Sequence, residues 1–180
     1  GIGFPDASMM GVDLLIPDVS YLEARKDKIV GMLLTHGHDD HIAGLPYILP
    51  LLGNIPIYGS KLTIGFAQER LGDIGVTANM NLIPDDQPLR LGQFSIEAVK
   101  VTHSVPDARH FAITTPEGMM YHGPDFKFDL SPVDRVLPEF QKMALLGKRG
   151  VLCLLSDCLR SQKDGWSLSE RLGLTQAFHH

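Results

Sequence analysis

The chain has 180 residues, an apolar fraction of 44%, a net charge of −5 and two cysteines. That length suffices for one domain with its own core. The acidic balance argues against a module that holds nucleic acid through a broad basic surface, and two cysteines alone make no metal knuckle. No apolar run approaches a membrane span, and no charged-then-apolar leader with a small-residue cleavage site is present, so the expected location is cytoplasmic.

In chain order, Phe4 to Ile16 reads as a loop with short extended pieces. Asp18 to Lys28 is polar, with a turn of helix expected around Tyr21, Leu22 and Glu23. Ile29 to Leu34 is an apolar run and reads as a buried strand. His41 to Leu52 reads as helical despite Pro46 and Pro50, ending near Gly53. Ile55 to Tyr58 reads as a short strand whose Pro56 belongs at an edge or a first position. Lys61 to Leu71 reads as a helix with Leu62, Phe66 and Leu71 on one face, closed by Gly72 and Gly75.

Asn81 to Val101 reads as consecutive strands, and Phe94 to Val99 alternates as a half-buried strand does. Phe111–Thr115 and Met119–His122 flank Pro116, Glu117 and Gly118, the pattern of a hairpin. Asp134 to Leu146 is expected to be a helix, Val151 to Leu155 an apolar strand, and Ser167 to Phe178 a final helix. Helices and strands alternate, which predicts an α/β (α+β) domain with helices packed on sheets. Cys153 and Cys158 read as free, buried or partly buried thiols in a reducing compartment.

The densest chemistry is His36-Gly37-His38-Asp39-Asp40-His41, three histidines and two aspartates directly after the apolar run. Gly37 permits a sharp turn where the strand ends. Ligand-bearing loops of α/β sheets sit at such carboxyl ends. Imidazole nitrogen and carboxylate oxygen suit zinc and its neighbours. A tight turn is expected to aim His36 and His38 to one side and Asp40 and His41 to the other, which suits two metals. His103, Asp125 and the pair Ser156 and Asp157 also follow expected strands.

The H-x-H-x-D-H pattern resembles the metallo-β-lactamase superfamily. Gly11 to Asp18, Thr102 to Asp107, Asp125-Phe126-Lys127-Phe128-Asp129 and Leu155-Ser156-Asp157 together resemble one branch of it, the bacterial ribonuclease J family, in order along nearly the whole chain. The resemblance implies a metallo-β-lactamase αββα sandwich, incomplete at both ends. Residues 1–180 would be a partial catalytic domain, without the β-CASP domain that the family inserts.

It further implies two divalent ions, zinc or alternatively manganese. His36, His38 and His103 would hold one ion, Asp40 and His41 the second, and Asp125 would bridge. Asp40, His41 and Asp125 are the catalytic candidates. The family's remaining histidine for the second ion has no counterpart here, and His179 and His180 are misplaced for it. The implied reaction is hydrolysis of single-stranded RNA, as 5′-to-3′ exonuclease and endonuclease, by a dinuclear centre that activates a hydroxide. The implied partner is single-stranded RNA, with no membrane, and the parent protein would be a homo-oligomer.

Several residues carry plainer readings. Asp39 is a solvated loop acid by pattern. Lys127 and Asp129 either orient the ligands or form a local surface pair. Ser156 and Asp157 either touch RNA or support the ligands. His110 and His122 are strand residues. Cys158 stands where the family has Ser, and Pro124 stands where it has Gly; proline fixes φ and removes an N–H, reshaping the Asp125 loop. The alternative functions are a thioester or lactone hydrolase, since one dinuclear core serves several reactions, or an inactive fragment.

Overall fold

The run Ile29–Leu34 makes less strand than its composition predicts. In the computed structural model a 3-10 turn spans Lys26–Lys28, and the first strand, β1, covers Met32–Leu33. Its partner limits it: β2 (Pro56–Gly59) opens on a proline and pairs in parallel as Met32↔Ile57 and Leu33↔Tyr58. One more bond, from Leu34 N–H to the Tyr58 carbonyl at 2.8 Å, carries the pairing to the edge of the histidine motif. The structure describes residues 1–159, 161, 162 and 164. The helix expected over Ser167–Phe178, and His179 and His180, lie outside them.

The chain divides into two units, Gly1–Ile83 and Pro84–His180. In the first unit, β2 pairs in parallel with β3 (Asn79–Leu82), giving the order β1-β2-β3. Pro56 is therefore at the first position of a central strand. The helices are α1 (Ser20–Glu23), α2 (Asp39–Ile42), α3 (Leu45–Leu52) and α4 (Lys61–Gly72). The helix read over His41–Leu52 is broken at Ala43 and Gly44. It ends at Gly53, whose φ of 81° is the left-handed conformation that glycine adopts readily.

The core gathers Leu34, Ile42, Leu45, Leu52, Ile57, Ala67 and Leu71. The buried face of α4 is Thr63, Ile64, Ala67 and Leu71, not the Leu62, Phe66 and Leu71 face expected; Leu62 is exposed and Phe66 only partly buried. Thr63 is buried because its hydroxyl accepts a 2.8 Å bond from Ser60, which satisfies the polar group.

In the second unit the described strands are β4 (Leu89–Leu91), β5 (Phe94–Lys100), β6 (Arg109–Thr115), β7 (Gly118–Gly123) and β8 (Cys153–Ser156), adjacent in that order. All pairs are antiparallel except β7 with β8. The β6–β7 hairpin is where the sequence put it. Val99, Ala112, Met119 and Leu146 form its buried cluster.

Helix α5 covers Phe140–Arg149, six residues later than the Asp134 start expected. Pro138 disfavours helix at the residue before it, and Arg135 has φ 62°, so the chain stays irregular until both are passed. Gly147 lies within the helix, and Gly150, with φ 93°, ends it. The apolar strand read over Val151–Leu155 is β8, with Leu152 and Leu154 exposed beside it and within it. Cys153 and Cys158 are free, as expected, but exposed rather than buried.

Candidate metal centre

Two donor sets belong to the two units and are taken separately. In the first unit the chain leaves β1 through Leu34, Thr35 and His36, all buried. His38 caps α2 in an extended conformation (φ −71°, ψ 148°), and its carbonyl accepts from the N–H groups of His41 and Ile42, each at 3.0 Å. Asp39, Asp40 and His41 are thus the opening turn of a helix rather than loop. Aspartates suit that position because unpaired N–H groups and the helix dipole favour negative charge there.

This turn carries His41 back over the strand end. The rings of His36 and His41 lie 4.0 Å apart between centroids, and those of His36 and His38 lie 4.9 Å apart. His36 thus has both rings as neighbours. Asp40 stays beside His41, with Oδ2 3.6 Å from Nε2. Thr35 Oγ1 lies 3.1 Å from His36 Nδ1. If that nitrogen carries the proton and donates, Nε2 keeps the lone pair that a metal needs.

Gly37 has a role different from the turn flexibility read from sequence. Its φ is not among the positive ones, but a Cβ there would lie 2.3 Å from Phe66 Cδ2. The glycine makes room for the α4 ring under the motif. Asp39 is also more than a solvated acid. Both its oxygens receive Arg70 nitrogens at 2.9 Å, a bidentate pair that fastens α2 to the end of α4. Arg70 was missed from the sequence because nothing local pairs positions 31 apart.

In the second unit His103 follows β5 and Asp125 follows β7. His103 Nε2 and Asp125 Oδ2 are 3.6 Å apart. Ligand-capable atoms of His103 and Asp125 lie within 4.8 Å of one another, as do those of His36 and His38. Four contacts shape the Asp125 loop. The Gly123 carbonyl accepts from Asp157 N–H at 2.7 Å, which gives Asp157 a supporting place at the end of β8. The Pro124 carbonyl lies 3.1 Å from His110 Nε2. The Lys127 N–H donates to the Thr102 carbonyl at 2.8 Å. Lys127 Nζ lies 3.6 Å from Asp129 Oδ2, and Asp129 is buried, so this is no surface pair.

His110 and His122 are strand residues, in β6 and β7. Burial pushes the His110 imidazole down to about 4, against the pull of the Pro124 carbonyl. The neutral ring donates from Nε2 to Pro124 and accepts at Nδ1 from the Tyr121 hydroxyl, 3.1 Å away. Tyr121 keeps its proton, since burial, and then Glu139, push its pKa up to about 12. Nearby, Arg109 is buried between two carboxylates, 3.2 Å from Asp85 and 2.9 Å from Asp107. Burial works to raise the Asp85 pKa, and Arg109 with Lys100 outweighs it, so the net direction is down.

The donor set is imidazole and carboxylate, borderline to hard, and it suits a divalent ion. The ligand candidates read from the sequence follow strands, His36 and His38 with the α2 residues Asp40 and His41 in one unit and His103 and Asp125 in the other. Among the described residues no helix is long and apolar enough to cross a membrane.

A family described as "Beta-lactamase superfamily domain" matches residues 7–146. Ribonuclease J of Thermus thermophilus is 39% identical over 178 residues, covering 94% of this chain and 31% of that protein. Ribonuclease J of Helicobacter pylori is 39% identical over 173 residues, covering 94% of this chain and 25% of that protein. The chain thus spans about a quarter to a third of the length of these curated relatives. A crystal structure described as a new diphosphatase from the PhnP family shares the fold at a TM-score of 0.55, with 21% identity, covering 77% of this chain and 52% of that one.

Proposed function

Because the chain belongs to the beta-lactamase superfamily, with the mixed α/β fold of that group, we propose that it is the metal-bearing part of a ribonuclease J-type enzyme hydrolysing RNA phosphodiester bonds. The observation that carries this reading is 39% identity over 94% of the chain to ribonuclease J. The runs that support it stand in order along the sequence, from the histidine motif to Leu155-Ser156-Asp157.

In this reading His36, His38 and His103 would hold one divalent ion, Asp40 and His41 a second, and Asp125 would bridge. Zinc fits the donors best, with manganese as the alternative. Bound ions of this kind polarise a phosphoryl oxygen and lower the pKa of water from ~16 to ~7. The chain's own residues set the conditions. Thr35 orients the His36 ring, the α2 turn presents Asp40 beside His41, and the loops after β5 and β7 present His103 and Asp125 in contact. Single-stranded RNA would be the substrate, cleaved both 5′-to-3′ from an end and internally, in the cytoplasm.

The test is cleavage of a 5′-monophosphorylated single-stranded RNA by the purified protein, together with elemental analysis of bound metal. His38→Ala and Asp125→Ala are expected to abolish cleavage and lower metal content. Full activity in both variants refutes the assignment. Bound metal without RNA cleavage in the parent keeps the centre and moves the reaction to another substrate class.

A further inference from the structure

His103 and Asp125 sit on separate loops, and one small side chain ties those loops together. Thr102 immediately precedes His103 and is buried. Its hydroxyl donates to the Lys127 carbonyl and accepts from the Asp129 N–H at 3.1 Å. Its own carbonyl accepts from the Lys127 N–H at 2.8 Å, which makes Thr102 and Lys127 an isolated antiparallel bridge outside the named strands. Three hydrogen bonds therefore converge on one residue. All of them run to the segment that begins two residues after Asp125.

The chemistry of the hydroxyl is specific. A hydroxyl can donate once and accept at the same time, and both capacities are used here on backbone groups of one facing segment. Valine has nearly the same shape but would leave a part-buried carbonyl and a buried N–H without this partner. Serine keeps both bonds. Asp129 completes the arrangement: Oδ1 of its buried carboxylate accepts from Ser131 N–H at 2.8 Å, which turns the chain directly after the stitch.

We propose that Thr102 is a positioning residue for the metal centre, setting the separation of His103 and Asp125 through its hydroxyl. The inference rests on the metallohydrolase reading above and deepens it. Outer groups that orient ligands are typically worth 10–100-fold in metal affinity, and Thr102 acts one step further out, on two ligand loops at once.

The experiment measures zinc affinity of the full chain by competition with a chromogenic chelator, with thermal melting alongside. Thr102→Val is expected to melt cooperatively and to bind zinc about tenfold or more weakly, while Thr102→Ser stays within about threefold of the parent. Thr102→Val binding zinc like the parent overturns the proposal. So does loss of cooperative melting in both Thr102→Val and Thr102→Ala, because the hydroxyl then holds the sheet rather than the ligands. A parent chain that binds no zinc or manganese sinks the metallohydrolase reading and this inference with it. A parent that binds metal while Thr102→Val is unaltered sinks this inference alone.

Discussion

The two donor sets are built in opposite ways. In the first unit, one stretch of six residues after a two-residue strand brings the rings of His38 and His41 each within 5 Å of His36. In the second, His103 and Asp125 come from loops on either side of a hairpin and meet through hydrogen bonds between residues 25 and 27 apart. The first set depends on local backbone geometry and on what packs beneath it. The second depends on a network that must be assembled from distant parts. Substitutions should therefore act locally and sterically in one unit and through buried polar groups in the other.

The largest expected effect concerns the buried histidine of the second unit. His110 is neutral when folded, with a pKa of about 4, against roughly 6.5 for an unfolded histidine. Between those values the unfolded chain binds more protons, so stability is fully present above about pH 6.5 and is lost as pH falls toward 4. The span corresponds to about 3 kcal/mol at most. Urea unfolding at pH 4.5 and pH 7 should show the loss in the parent and a much smaller difference in His110→Gln. An equal pH dependence in both would remove His110 from the network around Pro124.

An intermediate effect is expected in the first unit. Gly37→Ala drives a methyl group against the Phe66 ring, an overpacking that costs about 1–3 kcal/mol. Adding Phe66→Leu should recover part of the loss in a thermal melt. No recovery would mean that the glycine is needed for its backbone instead. The smallest effect is expected at the α2–α4 clamp. Arg70→Ala removes a bidentate pair between half-exposed side chains, which is worth about 0.2–1 kcal/mol. The difference should shrink in high salt.

The same contrast explains what could be read from the sequence. The motif residues, the β6–β7 hairpin and the strand ends carrying His103 and Asp125 were legible, because each is marked by nearby residues: Gly37, Pro116 with Gly118, and apolar alternation up to Val99. The roles of Arg70 and the Thr102 hydroxyl were not, because they are fixed by partners 25 to 31 residues away. Helix α5 was misplaced where Pro138 and the positive φ of Arg135 overrode apolar spacing. The division into two units had no local signal, since Ile83 and Pro84 lie in a stretch read as consecutive strands.

The bridge between Thr102 and Lys127 also has a bearing on the order of folding. Closing a loop costs entropy that grows with the logarithm of its length. The 25-residue separation spanned by this bridge is shortened once the β6–β7 hairpin has zipped as far as the Phe111↔His122 pair. The bridge is therefore a late event, slow before the hairpin exists and quick after it. Juxtaposition of His103 with Asp125 then serves as a clock for the second unit: metal capture by this pair would lag hairpin formation in a refolding experiment, while the histidine turn of the first unit would need no such wait.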